Sequence, residues 1–285
     1  MMHWTTLVDV DALAAALDDP GLRIVDARFA LMDPGAGRTA YAESHLPGAV
    51  HADLNEDLSD LSRSGLGRHP LPEDAAFARR LGEWGIGPQH QVVVYDAGDG
   101  SMAAARLWWM LRLLGHRQVA VLDGGLAAWR ARGLPETAEP PRINALPAYP
   151  AGFDARLIAD ADEVRRRLDE DSGWLFDARA PERFRGEVEP IDPVAGHVPG
   201  ALNRPFGANL RDGKFKPAAE LHAELAPMLA GRRPDDLVLM CGSGVTACHL
   251  LLAFEHAGLS GARVYAGSWS GWITDPARPV ERGAR

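Results

Sequence analysis

The sequence predicts an α/β protein of two tandem domains, each a mainly parallel sheet flanked by helices. Three observations carry this: the chain repeats itself, short apolar runs alternate with helical patterns, and a proline-rich stretch separates the copies. Val25-Asp26-Ala27-Arg28 recurs as Phe176-Asp177-Ala178-Arg179, and His45-Leu46-Pro47-Gly48-Ala49 as His197-Val198-Pro199-Gly200-Ala201. The run Val92 to Tyr95 is answered by Leu237 to Met240, and Gly124 to Trp129 by Gly267 to Trp272. Landmarks in one order, displaced by about 150 residues, mark two domains of one fold rather than a solenoid of short repeats.

In the first copy, Val92 to Tyr95 has the apolar content of a buried strand, and Met102 to Leu114 has the spacing of a buried helix. Its Trp108-Trp109 pair, like Trp269 and Trp272 of the second copy, is expected in packing. In the second copy, Asp160 to Leu168 is expected as a helix and Trp174 to Asp177 as a strand. Pro217 to Leu229 follows as a helix, Leu237 to Met240 as a strand, Val245 to His256 as a helix, and a short strand lies near Val264. Strands separated by helices build a parallel sheet covered on both faces. Between the copies, Gly133 to Asp154 carries Pro135, Pro140, Pro141, Pro147 and Pro150 without apolar periodicity, the composition of a semi-extended linker. The expected domains are therefore 1–132 and 155–285, joined by 133–154.

With 285 residues, 46% hydrophobic and 24% charged, the chain can bury a full core in each copy. A net charge of −9 argues against a nucleic-acid partner. No run approaches the roughly eighteen apolar residues of a membrane span, and no secretory signal stands at Met1 to Asp11. Two cysteines, Cys241 and Cys248, make no disulfide framework, so a reducing cytoplasm is expected. The histidines and cysteines show no paired metal-ligand spacing, and neither G-x-G-x-x-G nor a lysine-bearing phosphate loop occurs, so neither metal nor cofactor is expected.

Cys241 heads the run Cys241-Gly242-Ser243-Gly244-Val245-Thr246-Ala247, where a strand gives way to a helix, the place where sites form in open α/β sheets. Gly242 and Gly244 allow a tight loop whose N–H groups turn inward as an anion nest. The helix opening at Thr246 aims its N-terminal dipole at the sulfur. These features favour a reactive thiolate over the small buried residue that a lone cysteine usually is. A cysteine loop that cleaves phosphate esters needs a closing arginine. Ala247 holds that position and no arginine follows before Gly261, so a phosphatase is set aside.

On Cys241 to Ala247 and the duplicated Asp-Ala-Arg and His-x-Pro-Gly-Ala landmarks, the chain resembles the two-domain rhodanese family from about Trp4 to Val280. The resemblance implies tandem rhodanese-like domains with the active loop in the second. It implies transfer of a sulfane sulfur from a small anionic donor to Cys241, then to cyanide, a thiol or a thioredoxin-like acceptor. The neutral loop looks like the version that uses 3-mercaptopyruvate, since thiosulfate-specific members carry basic residues there. Asp96 stands where the first copy would need a thiol, in Asp96-Ala97-Gly98-Asp99-Gly100, so that copy is expected to be catalytically inactive.

By the same resemblance Arg183 contacts the donor anion, and the backbone of Gly242, Gly244, Val245 and Thr246 holds the sulfur's charge. Ser243 and His69 match members of a serine–histidine–aspartate set whose aspartate position falls on Asn55, with Asp53 close by. A second arginine expected after Glu189-Pro190 is replaced by Ile191, leaving Arg185 or Arg179 to compensate. Ala266 stands where similar chains carry an aspartate. Cys248 is expected as a buried helix residue, and Asp26, Asp177, His45 and His197, present in both copies, as structural. Thiosulfate as donor remains the near alternative, and a non-enzymatic persulfide carrier or redox regulator the distant one.

Overall fold

The computed structural model describes residues 3–98, 103–170 and 172–283. Asp99, Gly100 and Met102, which the sequence places in the Asp96 loop and at the head of the Trp108 helix, lie outside the described residues. The chain forms two compact units, Met1–Asp60 with Leu71–Asp154 and Leu61–Pro70 with Ala155–Arg285.

In the first unit the strands are β1 (Leu7–Val8), β2 (Leu22–Asp26), β3 (Val50–His51), β4 (Gln91–Tyr95) and β5 (Val119–Leu122), in the order β1-β5-β4-β2-β3. Each neighbouring pair is parallel. Helices α1 (Val10–Ala15), α2 (Ala36–Glu43), α3 (Asp74–Glu83), α4 (Ala103–Leu113) and α5 (Gly125–Ala131) connect and cover them. β4 is buried at every residue, as a central strand shielded on both faces must be. One core cluster gathers Leu13, Val93, Tyr95, Leu122 and Trp129.

The second unit repeats the pattern with β6 (Ile158–Ala159), β7 (Leu175–Asp177), β8 (Leu202–Asn203), β11 (Val238–Met240) and β12 (Arg263–Tyr265), ordered β6-β12-β11-β7-β8. An antiparallel hairpin of β9 (Leu210–Arg211) and β10 (Lys214–Phe215) is added. Its helices are α6 (Ala161–Arg166), α7 (Pro181–Phe184), α8 (Ala218–Leu225), α9 (Thr246–His256) and α10 (Ser268–Trp272). The caps repeat too: the Asp9 side chain accepts from Ala12 N at 2.8 Å, and that of Asp160 from Glu163 N at 2.7 Å. The helix expected from Pro217 to Leu229 stops at Leu225 and tightens into a 3₁₀ turn over Ala226–Leu229. Pro227 there has no N–H to continue the ladder.

Two boundaries differ from the expected ones. Residues 133–154, expected as a semi-extended linker between the copies, lie as a strap on the first unit. Thr137 and His45 exchange backbone hydrogen bonds at 2.9 Å, Leu146 N donates to Gly82 O at 2.8 Å, and Tyr149 N donates to Ala78 O at 2.9 Å. Gly82 admits the strap, for a Cβ there would stand 2.6 Å from Pro147 O. Residues 61–70, inside the first copy by sequence, belong with the second unit: Arg68 N donates to Ser270 Oγ at 2.9 Å. Residues with these bonds in hand have no apolar periodicity to betray them.

Candidate active site

Cys241 follows the last residue of β11, and α9 begins five residues later at Thr246. The intervening loop is pinned by the start of α10. Trp269 N donates to Cys241 O and Ser270 N to Gly242 O, both at 2.9 Å. Cys241 N donates to Ser268 Oγ at 3.1 Å, and that hydroxyl donates to Tyr265 O at 2.8 Å. Ser268 takes a left-handed φ of 52°, which costs a residue with a Cβ about 1–2 kcal/mol; its hydroxyl thereby satisfies a buried N–H.

Gly244 has φ 81°, and a Cβ on it would lie 2.3 Å from Ala266 O. Only glycine lets the loop close on that carbonyl, which is the part Ala266 plays here. The closure brings Gly244 N to 3.2 Å from Cys241 Sγ as a donor. Among the described residues this is the N–H that reaches the sulfur; those of Gly242, Val245 and Thr246, expected to share the task, do not hydrogen-bond to it. Cys248, fully buried on α9, donates its thiol to Gly244 O at 3.1 Å and so holds the same glycine from behind. Both cysteines are free.

Ser243 Oγ lies 2.8 Å from His69 Nδ1, and both side chains are buried. The structure thus joins two residues 174 positions apart that the sequence put forward together. Asp53 works within the first unit instead: its Oδ1 accepts from Asn55 N at 2.8 Å and Glu56 N at 3.2 Å, closing a turn.

Arginines absent from the loop itself arrive from elsewhere in the second unit. A Cβ on Gly242 would stand 3.4 Å from Arg68 Nη2 and 3.6 Å from both terminal nitrogens of Arg183. Arg183 Nη2 donates to Glu189 Oε1 at 2.7 Å and to Asp192 Oδ2 at 3.2 Å. Arg68 Nη1 donates to the other oxygen, Asp192 Oδ1, at 2.7 Å. Burial pushes the Glu189 carboxyl upward, but hydrogen bonds from Arg183 and from the N–H groups of Asp192 and Ile191 outweigh it and hold the group below the usual carboxylate range.

Arg179 is almost fully buried, forked onto Asp177 at 2.7–3.1 Å and lying over the Trp269 ring at 4.8 Å. Burial opposes its charge, but Asp177, Glu189 and Cys241 prevail and hold its pKa above the ordinary arginine value. Arg185 is not brought to the loop; its guanidinium is forked onto Glu187 at 2.7–2.8 Å, near the surface. The guanidiniums beside Gly242 are therefore those of Arg183 and Arg68, with Asp192 and Glu189 as their counter-ions. Of these only Arg183 was singled out by sequence, because isolated charges in polar segments resemble solvated ones.

The first unit carries the same scaffold around a carboxylate. Leu126 N donates to Asp96 O at 2.9 Å and Ala127 N to Ala97 O at 3.1 Å, matching the pins on Cys241 and Gly242. Gly125, with φ 54°, stands where the second unit has Ser268, a glycine-for-serine exchange that marks the left-handed position in the sequence itself. Asp26 and Arg28 repeat the Asp177–Arg179 fork, and His45 Nδ1 on Tyr41 O at 2.7 Å repeats His197 Nδ1 on Phe184 O at 2.8 Å. Among the described residues, no group of three or more His, Cys, Asp or Glu side chains is placed to hold a metal ion. No helix among them is long and apolar enough to cross a membrane.

The rhodanese-like domain model matches residues 9–132 and 160–275. A Pseudomonas aeruginosa protein named "Probable 3-mercaptopyruvate sulfurtransferase" is 51% identical over 289 residues, covering 99% of this chain and 100% of its own. The thiosulfate sulfurtransferase of Bos taurus is 36% identical over 271 residues, covering 92% of this chain and 89% of its own. The crystal structure of SseA from Escherichia coli, described as showing the rhodanese fold and catalytic mechanism of 3-mercaptopyruvate sulfotransferases, superposes with a TM-score of 0.77 at 35% identity, covering 94% of this chain and all of that one. With its two matched regions, two parallel sheets of one topology and full-length relatives of this kind, the chain belongs to the rhodanese-like family in its tandem form and is a sulfurtransferase.

Proposed function

We propose that the chain takes sulfane sulfur from 3-mercaptopyruvate onto Cys241 and hands it to cyanide, a thiol or a thioredoxin-like acceptor. The observation that carries the choice of donor is the contact of Ser243 Oγ with His69 Nδ1 at 2.8 Å, two residues from the cysteine. The sulfur of Cys241 attacks the donor's sulfur, and the electron pair of the carbon–sulfur bond stays with carbon as pyruvate enolate. That carbon then needs a proton, which a serine–histidine pair is built to deliver. Thiosulfate would release sulfite, which needs none. The Gly244 N–H supports negative charge on the Cys241 sulfur, and Arg183 holds the donor's carboxylate. In the second half-reaction an acceptor thiolate or cyanide attacks the outer persulfide sulfur and Cys241 leaves.

In this reading Asp96 leaves the first unit without a sulfur carrier, and two free thiols fit a reducing compartment such as the cytoplasm. The test is thiocyanate formation from each donor with cyanide. Cys241→Ser should abolish it with both, and the wild type should show the higher kcat/KM with 3-mercaptopyruvate. His69→Gln and Ser243→Ala should each lower kcat with that donor by about 10²-fold, the low end for general acid–base catalysis, while sparing thiosulfate turnover. A preference for thiosulfate, or equal losses with both donors, overturns the assignment.

A further inference from the structure

We propose that Arg68 is a second anion-binding residue of the donor site, forming with Arg183 a two-guanidinium fork set by Asp192; this rests on the reading of Cys241 as acceptor of sulfur from a small anionic donor. Four observations carry it. Arg68 lies in the segment 61–70 that folds with the second unit, directly before His69, and its own N–H is fixed on Ser270 Oγ. Ser270 in turn pins Gly242 through its backbone, so the main chain of Arg68 is tied to the cysteine loop through one residue, while its head is held by Asp192 beside Gly242.

Asp192 receives Arg68 Nη1 on one oxygen and Arg183 Nη2 on the other, and a carboxylate bridging two guanidiniums in this way holds both at a defined separation. Arg68 Nη2 and Arg183 Nη1 have no hydrogen-bond partner among the described residues, yet both lie within 3.6 Å of the point where a Cβ on Gly242 would stand. Two donors with no partner, aimed at one point beside the residue after Cys241, suit the paired oxygens of a carboxylate or a sulfonate. The absence of a side chain at 242 keeps that point open.

The surroundings say how the fork works. Arg68, Arg179 and Arg183 are balanced by Asp177, Glu189 and Asp192, so the site offers no surplus of positive charge. Selection of the anion therefore depends on directed donors rather than on bulk attraction. A lysine at 68 would keep the charge and lose the geometry, because it cannot hold Asp192 with one nitrogen while presenting a second in the same plane.

Two measurements test this. In steady state with cyanide as acceptor, Arg68→Gln should raise the donor KM at least tenfold with 3-mercaptopyruvate and leave the cyanide KM and kcat within twofold. The same variant with thiosulfate tells carboxylate from sulfonate: a KM rise with either donor supports the fork, and the larger rise names the preferred headgroup. An unchanged donor KM with both overturns it. The second measurement does not need sulfur transfer. Iodoacetate and iodoacetamide alkylate the same thiol, but only the first carries a carboxylate, so the ratio of their rates on Cys241 reports the anion site while cancelling changes in sulfur reactivity. Arg68→Gln and Arg183→Gln should each lower that ratio at least fivefold, Arg68→Lys should fall between Gln and wild type, and Arg211→Gln on the β9 surface should match wild type. A ratio unchanged in Arg68→Gln, or fully restored in Arg68→Lys, overturns the fork. If neither donor is turned over by wild type while the ratio still falls, the fork stands and the proposed reaction fails.

Discussion

Ser268 shows how one residue can be costly and kept. It occupies a left-handed backbone position, where its counterpart Gly125 sits without strain, and its hydroxyl is the partner of Cys241 N. Ser268→Ala keeps the strained φ and leaves a buried N–H unpaired, which costs about 1–3 kcal/mol. Ser268→Gly loses the same acceptor but regains the roughly 1–2 kcal/mol of backbone relief. Urea denaturation should rank the stabilities wild type, then Gly, then Ala; Ala more stable than Gly would refute the account. At this scale the sequence showed what local chemistry can show. Cys241 and the glycines are visible because a thiol between a strand and a small-residue turn has few structural uses, whereas Ser243 is visible only through the family resemblance. Asp192 was not, since its meaning lies in Arg68, 124 residues away, and nothing local distinguishes a bridging carboxylate from a solvated one.

The cysteine loop is an element without a regular ladder, held instead by α10 in front and Cys248 behind. Gly244 is where the two meet: its N–H faces Cys241 Sγ, its carbonyl accepts from Cys248, and Ala266 O fills the space a side chain would need. Gly244→Ala adds a Cβ at 2.3 Å from that carbonyl and a penalty at φ 81°, so the loop must shift and withdraw its N–H from the sulfur. Sulfur transfer should fall at least tenfold while far-ultraviolet circular dichroism stays unchanged, because α9 and β11 are fixed by packing outside the loop; wild-type rates would refute it. In the second unit α6, β7, β11 and α9 are legible from periodicity to within a residue or two, whereas the helix read to Leu229 stops at Leu225, and the short β6, β8, β9, β10, α7 and α10 span too few residues to show a period. The docking of the strap at 133–154 is not legible, because prolines and polar residues describe a semi-extended linker whether or not it is docked. The docking is written in Gly82, whose missing side chain has no meaning until Pro147 is beside it.

The whole molecule keeps several imidazoles out of water. Burial lowers the pKa of His51, His90, His116 and His197 below the ordinary 6.5. The unfolded chain takes up protons at these positions once the pH falls below about 6.5, and the folded chain resists, so their contribution to stability is complete above that pH and is lost as pH drops through it. Glu189, held below its ordinary 4.5, adds a second loss at lower pH, as its carboxylate is protonated. Thermal melts from pH 8 to 4 should show a plateau above about 7 and a decline beginning near 6.5; a Tm flat to pH 5 would contradict the first step. The tandem architecture was the most legible feature of all, because duplicated landmarks survive where individual contacts do not. What duplication hides is the exchange at residues 61–70, which sit in the first repeat by sequence and in the second unit by structure. That segment brings Arg68 and His69 to the loop of Cys241. The copy that carries Cys241 is thus not a module that ends at the boundary between the repeats. A break at the apparent domain boundary would deliver the cysteine loop without the histidine that contacts Ser243 and without Arg68, so the second half cut at that boundary lacks part of its own unit.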